Sequence, residues 1–134
     1  MDILRERLTL PPRGLVSVVD DDESIRESLP DLLELLGFAA RPFASAADFL
    51  ASDLIVETQC LILDVSMPVM SGPQLQEALT RLGHAIPIIF ITAQCDPVLR
   101  ATLLARGAVA CLSKPFNDRE LRSALACAVG TTLP

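Results

Sequence analysis

The sequence predicts an α/β fold in which five parallel strands form one sheet between two layers of helices. Three observations carry this expectation. Five short apolar runs alternate with five helix-like segments. The runs are apolar almost throughout rather than on alternate residues, as strands buried on both faces are. The 134 residues, 51% of them hydrophobic, suffice for one core and leave no room for a second domain of ordinary size.

The strands are read at Leu15 to Val19, Ala39 to Phe43, Cys60 to Asp64, Pro87 to Thr92 and Ala108 to Leu112. Helix starts are marked by a capping residue with an acid or glutamine three positions on: Ser24 with Glu27, Ser45 with Asp48, Ser71 with Gln74, and Asn117 with Glu120. The remaining start is Asp96-Pro97, a cap followed by proline at the first helical position. Gly37, Gly83 and Gly107 stand where helices give way to loops. Pro30 conflicts with this pattern, because inside the first helix it removes a hydrogen bond and is expected to bend the axis. Right-handed crossovers between parallel strands make a flavodoxin-like (βα)5 three-layer sandwich, in strand order 2-1-3-4-5, the expected arrangement at this size. We read residues 15–130 as the domain, 1–14 as an N-terminal extension and 131–134 as a tail.

Bulk properties narrow the function. A net charge of −6, with Lys114 the only lysine, argues against direct nucleic-acid binding. The longest charge-free stretch, Leu82 to Cys95, is too short to span a bilayer, and the N-terminus lacks the apolar run of a secretory signal. A cytoplasmic protein without a membrane segment is the expectation. Cys60, Cys95, Cys111 and Cys127 show neither C-x-x-C spacing nor a disulfide framework, and read as reduced packing residues.

In such folds ligands collect beyond the carboxyl ends of the strands. The first strand ends in Val19-Asp20-Asp21-Asp22-Glu23, the third in Asp64, the fourth in Thr92-Ala93 and the fifth in Ser113-Lys114-Pro115-Phe116. Each alone has an ordinary reading: Asp64 as a loop cap, the acidic run as a solvated helix start, Lys114 as a surface charge. Together they supply what phosphoryl transfer to a carboxylate needs. Crowded carboxylates favour a hard divalent cation such as Mg²⁺, with Asp21 and Asp64 as direct ligands and Asp20 holding a water of its shell. An Asp64 oxygen can attack phosphorus in line while Lys114 offsets charge on the equatorial oxygens. Thr92 donates a hydrogen bond to the phosphoryl group, and Ala93 keeps the entry path small-walled.

Four segments carry a family resemblance in order and spacing: "VVDDDES" at Val18 to Ser24, "LDVSMPVMSG" at Leu63 to Gly72, "IFITA" at Ile89 to Ala93 and "SKPF" at Ser113 to Phe116. Across roughly Leu15 to Val129 the chain resembles the receiver domain of two-component response regulators. With "SAADFL" at Ser45 to Leu50, it is most similar to the FixJ-type subfamily. The resemblance implies that Asp64 accepts a phosphoryl group from a sensor histidine kinase or a small donor such as acetyl phosphate. It implies Mg²⁺ at Asp20, Asp21, Asp64 and the backbone carbonyl of Ser66, with Thr92 and Lys114 as switch and phosphate partners. Ser66 and Gln94 flank the phosphoryl path and are expected to tune hydrolysis. The protein is then a signalling switch and not a metabolic enzyme, with the fourth helix and fifth strand as a phosphorylation-promoted homodimer face. The Lys114-Pro115 bond is commonly cis in the family.

Two departures stand out. Cys111 replaces the aromatic switch residue usual three positions before the strand-five lysine, so a moving ring cannot carry the signal here. FixJ-type regulators usually continue into a LuxR-type DNA-binding domain, whereas this sequence stops at Pro134; a stand-alone receiver and part of a longer regulator both fit. Two other function classes were weighed. A haloacid-dehalogenase-type phosphatase also uses a strand-end aspartate with Mg²⁺, but it wants a second aspartate where Ser66 stands. A pseudo-receiver interaction module without phosphorylation is weakened because every chemical position is filled.

Overall fold

The computed structural model describes residues 14–130. The N-terminal extension, apart from Gly14, and the tail at 131–134 lie outside the described residues. Five strands and five helices alternate: β1 (Leu15–Val19), α1 (Glu23–Leu35), β2 (Ala39–Phe43), α2 (Ala46–Leu50), β3 (Thr58–Asp64), α3 (Gly72–Arg81), β4 (Ile88–Thr92), α4 (Pro97–Ala105), β5 (Ala110–Ser113) and α5 (Asp118–Val129). The strands form one parallel sheet in the order β2-β1-β3-β4-β5, the flavodoxin-like arrangement that the alternation predicts.

Side chains alternate across each strand, so the apolar runs feed two cores at once. Cys60 and Ile62 of β3 and Ile89 and Ile91 of β4 face α1 and α5, where they meet Leu29, Leu33, Leu121 and Leu125. Leu61, Leu63, Ile88 and Phe90 face the other way, onto Phe49 of α2, Leu75 and Leu79 of α3 and Leu103 of α4. Each such fully buried side chain stabilises the fold by about 1.5–3 kcal/mol. The strand ends that carry the polar residues are therefore held from both sides.

Most helix ends follow the predicted chemistry. Ser71 with Gln74 and Asn117 with Glu120 form reciprocal capping boxes, while Ser45 and Asp96 cap α2 and α4 by accepting from the Asp48 and Leu99 amides. The first helix differs. Asp22, not Ser24, is its N-cap, because the Asp22 carboxylate takes both the amide and the hydroxyl of Ser24 at 2.9 and 2.8 Å. Pro30 does not interrupt the helix, which runs unbroken from Glu23 to Leu35 with Leu29 and Leu33 buried. Tertiary burial on that face outweighs the hydrogen bond that proline cannot donate.

The strand boundaries shift by a few residues. β3 begins at Thr58 because the polar pair ahead of Cys60 still joins the ladder, with Thr58 beside Leu15. The buried Ser17 and Thr58 hydroxyls satisfy each other at 2.8 Å, so neither is stranded in the core. The cysteine reading needs a larger correction: Cys95 and Cys111 are paired as a disulfide, and only Cys60 and Cys127 are free. Their α-carbons lie 6.6 Å apart, within the span a disulfide bridges, although 16 residues separate them in sequence.

Candidate functional site

The site forms at the carboxyl edge of the sheet. Asp20 follows β1 and is fully buried; Asp64 is the last residue of β3 and 5% exposed. One carboxylate oxygen from each of Asp20, Asp21 and Asp64 can be chosen so that all lie within 4.8 Å of one another. Asp20 is fixed on several sides. Its amide donates to the Phe43 carbonyl at 3.1 Å, its Oδ1 accepts from the Asp22 amide at 2.9 Å, and its carbonyl accepts from Arg26 Nη1 at 2.9 Å. Arg26 was not singled out from sequence, since only the turn of the chain into α1 brings it back onto Asp20.

Lys114 enters from the end of β5, where the Lys114-Pro115 bond is cis. Its Nζ lies 2.8 Å from Asp20 Oδ2 and 3.5 Å from Asp64 Oδ1. The Asp20 contact is a close ion pair to a fully buried oxygen. Burial opposes the Lys114 charge, but Asp20 and then Asp64 outweigh it and hold the ammonium above its usual range. Asp64 is pushed the other way: burial first, and the neighbouring Asp20 carboxylate second, raise its pKa to about 6 despite Lys114. Of the three clustered carboxylates, Lys114 pairs with Asp20 and Asp64, while the Arg26 guanidinium bonds the Asp20 backbone rather than a carboxylate.

Thr92 ends β4, one residue beyond the Ile91 that pairs with Asp64, and its carbonyl accepts from the Lys114 amide at 2.7 Å. Ser66, Ala93 and Gln94 are exposed on the loops around this edge, where side chains meet solvent. Cys111 lies apart from the acids, buried in the core layer beneath α4 and bonded to Cys95. The structure thus brings Asp20, Asp21, Asp64 and Lys114 together, sets Thr92 alongside, and takes Cys111 out of the polar group.

Gly72 is a residue whose part was missed. A β-carbon there would collide with the Asp64 carbonyl oxygen and lie 3.0 Å from Phe90 and 3.1 Å from the Val65 backbone. Its amide donates to the Val65 carbonyl at 3.0 Å, so the start of α3 rests directly on the strand end that presents Asp64. The sequence signal was the glycine directly after the Ser71 cap, a place where a side chain is normally tolerated. Concavity is a poor guide here. A cleft of about 450 Å³ lined by Gln76, Thr80, His84 and Arg106 lies among α3, α5 and the amino end of β4, and has no acid in its wall.

The family described as response regulator receiver domain matches residues 16–126. This chain belongs to that family. It is 43% identical to nodulation protein W of Bradyrhizobium diazoefficiens over 116 residues, covering 87% of this chain and 51% of that protein. It is 41% identical to the transcriptional regulatory protein TdiR of Thauera aromatica over 114 residues, covering 85% of this chain and 50% of the relative. The solved structure FixJ-N superposes with a TM-score of 0.77 at 35% identity, over 87% of this chain and 94% of that one. The chain spans about half the length of these curated relatives. As a receiver domain it serves signalling rather than metabolic catalysis, which leaves the phosphatase alternative unsupported. No helix among the described residues is long and apolar enough to cross a membrane.

Proposed function

We propose that residues 15–130 are a phosphorylation-controlled switch in which Asp64 accepts a phosphoryl group from a sensor histidine kinase or acetyl phosphate. The observation that carries this is the convergence of Lys114 Nζ on Asp20 at 2.8 Å and Asp64 at 3.5 Å, at the end of the strand where an incoming phosphorus would arrive. An ionised Asp64 oxygen forms the new O–P bond as the phosphohistidine P–N bond, or the acetyl phosphate P–O bond, breaks. The donor leaves with the electron pair of the broken bond. Lys114, freed from Asp64 by the charge that moves onto the phosphoryl oxygens, follows that charge, and the Thr92 hydroxyl donates to it from the adjacent strand end.

The acidic set fits Mg²⁺, since it gathers three carboxylates within 4.8 Å of one another, two of them buried, and a hard divalent cation prefers such oxygens. Asp20, Asp21, Asp64 and the Ser66 carbonyl are the residues that would hold it. Bound there, the cation supplies positive charge against the phosphoryl oxygens. Ser66 and Gln94 stand exposed where they can set the access of water, and Ala93 leaves the path open.

Output through α4 and β5 is supported by the helix itself: Leu103 is buried, whereas Val98 is 77% and Leu104 41% exposed. A homodimer formed on phosphorylation would cover such residues. We place the domain in the cytoplasm with the kinase, and assign it no nucleic-acid contact of its own. Intact mass after incubation with acetyl phosphate and Mg²⁺ tests the reading. One phosphoryl adduct, lost on treatment with hydroxylamine, is expected; no adduct would sink it and favour an interaction module that works unphosphorylated.

A further inference from the structure

Cys95 and Cys111 occupy a place where a bond between them has consequences. Cys95 lies three residues after Thr92, and Cys111 three residues before Lys114. Their disulfide therefore ties the loop that continues from the Thr92 strand to the strand that delivers Lys114. A second tie runs in parallel, from the Cys95 amide to Ser113 Oγ at 3.0 Å. Phe90 and Cys111 are register partners, as are Thr92 and Ser113, so by the two-residue period all four share the face beneath α4. Any rearrangement that carries Thr92 toward a phosphoryl group must move this corner.

The two sulfurs differ in access. Cys95 is half-buried, within reach of a small molecule, while Cys111 is fully enclosed and reachable through Cys95. The free cysteines offer nothing similar: burial pushes the Cys60 thiol up to about 12, and Cys127 sits exposed on another helix.

We propose that Cys95 and Cys111 are a redox modification site for low-molecular-weight disulfides, and that the bridge latches the β4–β5 corner in the arrangement described here, against the rearrangement that phosphorylation requires. The Cys95 thiolate attacks a disulfide R–S–S–R, forming a mixed disulfide and expelling one thiolate. Cys111 attacks the Cys95 sulfur as its proton passes to the departing thiolate, closing the bridge and releasing the second small thiol. Two protein thiols are oxidised and one small disulfide is reduced to two thiols. Paired cysteines in a reducing compartment are more often redox-sensing than structural, which suits this chemistry.

The control over the switch rests on the phosphorylation reading above, and the test separates the two. In a Cys127→Ser background, the chain is incubated with oxidised glutathione or with dithiothreitol, then denatured and alkylated. Of the four cysteines of the chain, three remain to be alkylated when reduced and one when bridged, and intact mass reads the number. Beryllofluoride with Mg²⁺, a phosphoryl mimic, is then titrated into both forms. The bridged form is expected to bind it about fivefold or more weakly, because a latch that disfavours the phosphorylated arrangement must lower affinity for its mimic. Cys95→Ser is expected to bind equally well under both treatments. A bridge that fails to form with oxidised glutathione overturns the modification site. Equal affinity of bridged and reduced forms overturns the latch while leaving the phosphorylation reading intact. Failure of both forms to bind the mimic or take up a phosphoryl group overturns the phosphorylation reading and the latch with it, and the thiol count still decides the bridge on its own.

Discussion

The carboxyl edge of the sheet has two unlike halves. At β1 and β3, Asp20 is fully buried and Asp64 nearly so, both held by the charge of Lys114 reaching across from the end of β5, and Asp20 also by a backbone hydrogen bond. At β4 and β5, Ala93, Gln94 and Asp96 lie exposed on a loop, over a core position filled by a small cysteine. Charge is concentrated in one half and held still, at a cost visible in the raised Asp64. Past the strand ladder, the other half is tied by the Asp96 cap of α4, one hydroxyl hydrogen bond to Ser113, one backbone hydrogen bond from Lys114 to Thr92 and a disulfide. On the proposed function, chemistry falls to the acids at β1 and β3 and the switch movement to the loop between β4 and α4.

The largest effect is expected where the charged half loses its nucleophile. Asp64→Asn is expected to abolish phosphoryl uptake from acetyl phosphate, since the amide supplies neither the attacking oxygen nor the negative charge that Lys114 faces at 3.5 Å. Intact mass reads this directly. Full labelling of the variant would move the acceptor elsewhere and break the division between the halves. The fold should survive, because removing a charge that burial disfavours relieves the site.

Next in size is a change that touches no charge. Gly72→Ala puts a methyl group against the Asp64 carbonyl, Phe90 and the Val65 backbone, none of which is the free end of a flexible side chain. Either α3 withdraws or the end of β3 bends. We expect a loss of about 2 kcal/mol in stability, as overpacking costs, together with slower phosphoryl uptake. Chemical denaturation and the labelling rate check the two. Unchanged labelling in a destabilised variant would show that the position of Asp64 does not depend on α3.

The third outcome is set by pH. Asp64 takes its proton at about 6 in the folded, metal-free chain, against 3.8 ordinarily. Between those values the folded state holds more proton than the unfolded one, so this group's contribution to stability grows as pH falls through about 6 and is lost as pH rises. Other carboxylates have their own pH dependence, so the difference between the native chain and Asp64→Asn isolates the contribution. Mg²⁺ must displace the same proton. Its affinity is expected to fall about fivefold between pH 6 and 5, a window higher than ordinary aspartates would give. Titration of Mg²⁺ at the two pH values measures it, and an affinity that holds until pH 4 would show that Asp64 is not perturbed by its neighbours.

The two halves were not equally legible in the sequence. Strand order, the acidic trio and Lys114 followed from apolar runs and from the residue type at each run's end, because parallel strands of an α/β sheet all point their carboxyl ends to one edge. The cap at Asp22 escaped because the Ser24–Glu27 spacing fits a capping box, while Asp22, one of a run of acids, binds the Ser24 amide and hydroxyl and starts the helix at Glu23. Gly72 escaped because its constraint is the space beside β3, and spacing rules describe only the helix it begins. The Cys95–Cys111 pair escaped for a similar reason. Whether residues 16 apart can join depends on how closely the loop after β4 folds over β5.

The smallest expected effect is at Cys111, and it tests how the β4–β5 half works. In the reduced chain Cys111→Ala removes one sulfur from a packed layer, which costs about 1 kcal/mol on the scale of deleting a small buried group. It disturbs no polar contact of the site. Lys114 is still delivered by its backbone, whose amide donates to the Thr92 carbonyl at 2.7 Å. Phosphoryl uptake and any dimer that follows are expected to stay near native values, because a cysteine is too small to act as a moving ring would. Thr92→Ala should differ: it deletes the hydroxyl proposed to meet the phosphoryl group and is expected to leave labelling while weakening dimerisation. Sedimentation of both variants with beryllofluoride, under reducing conditions, makes the comparison. If Cys111→Ala prevents the dimer while labelling normally, the signal passes through the Cys111 side chain itself, and the loop from Ala93 to Asp96 is not the moving part.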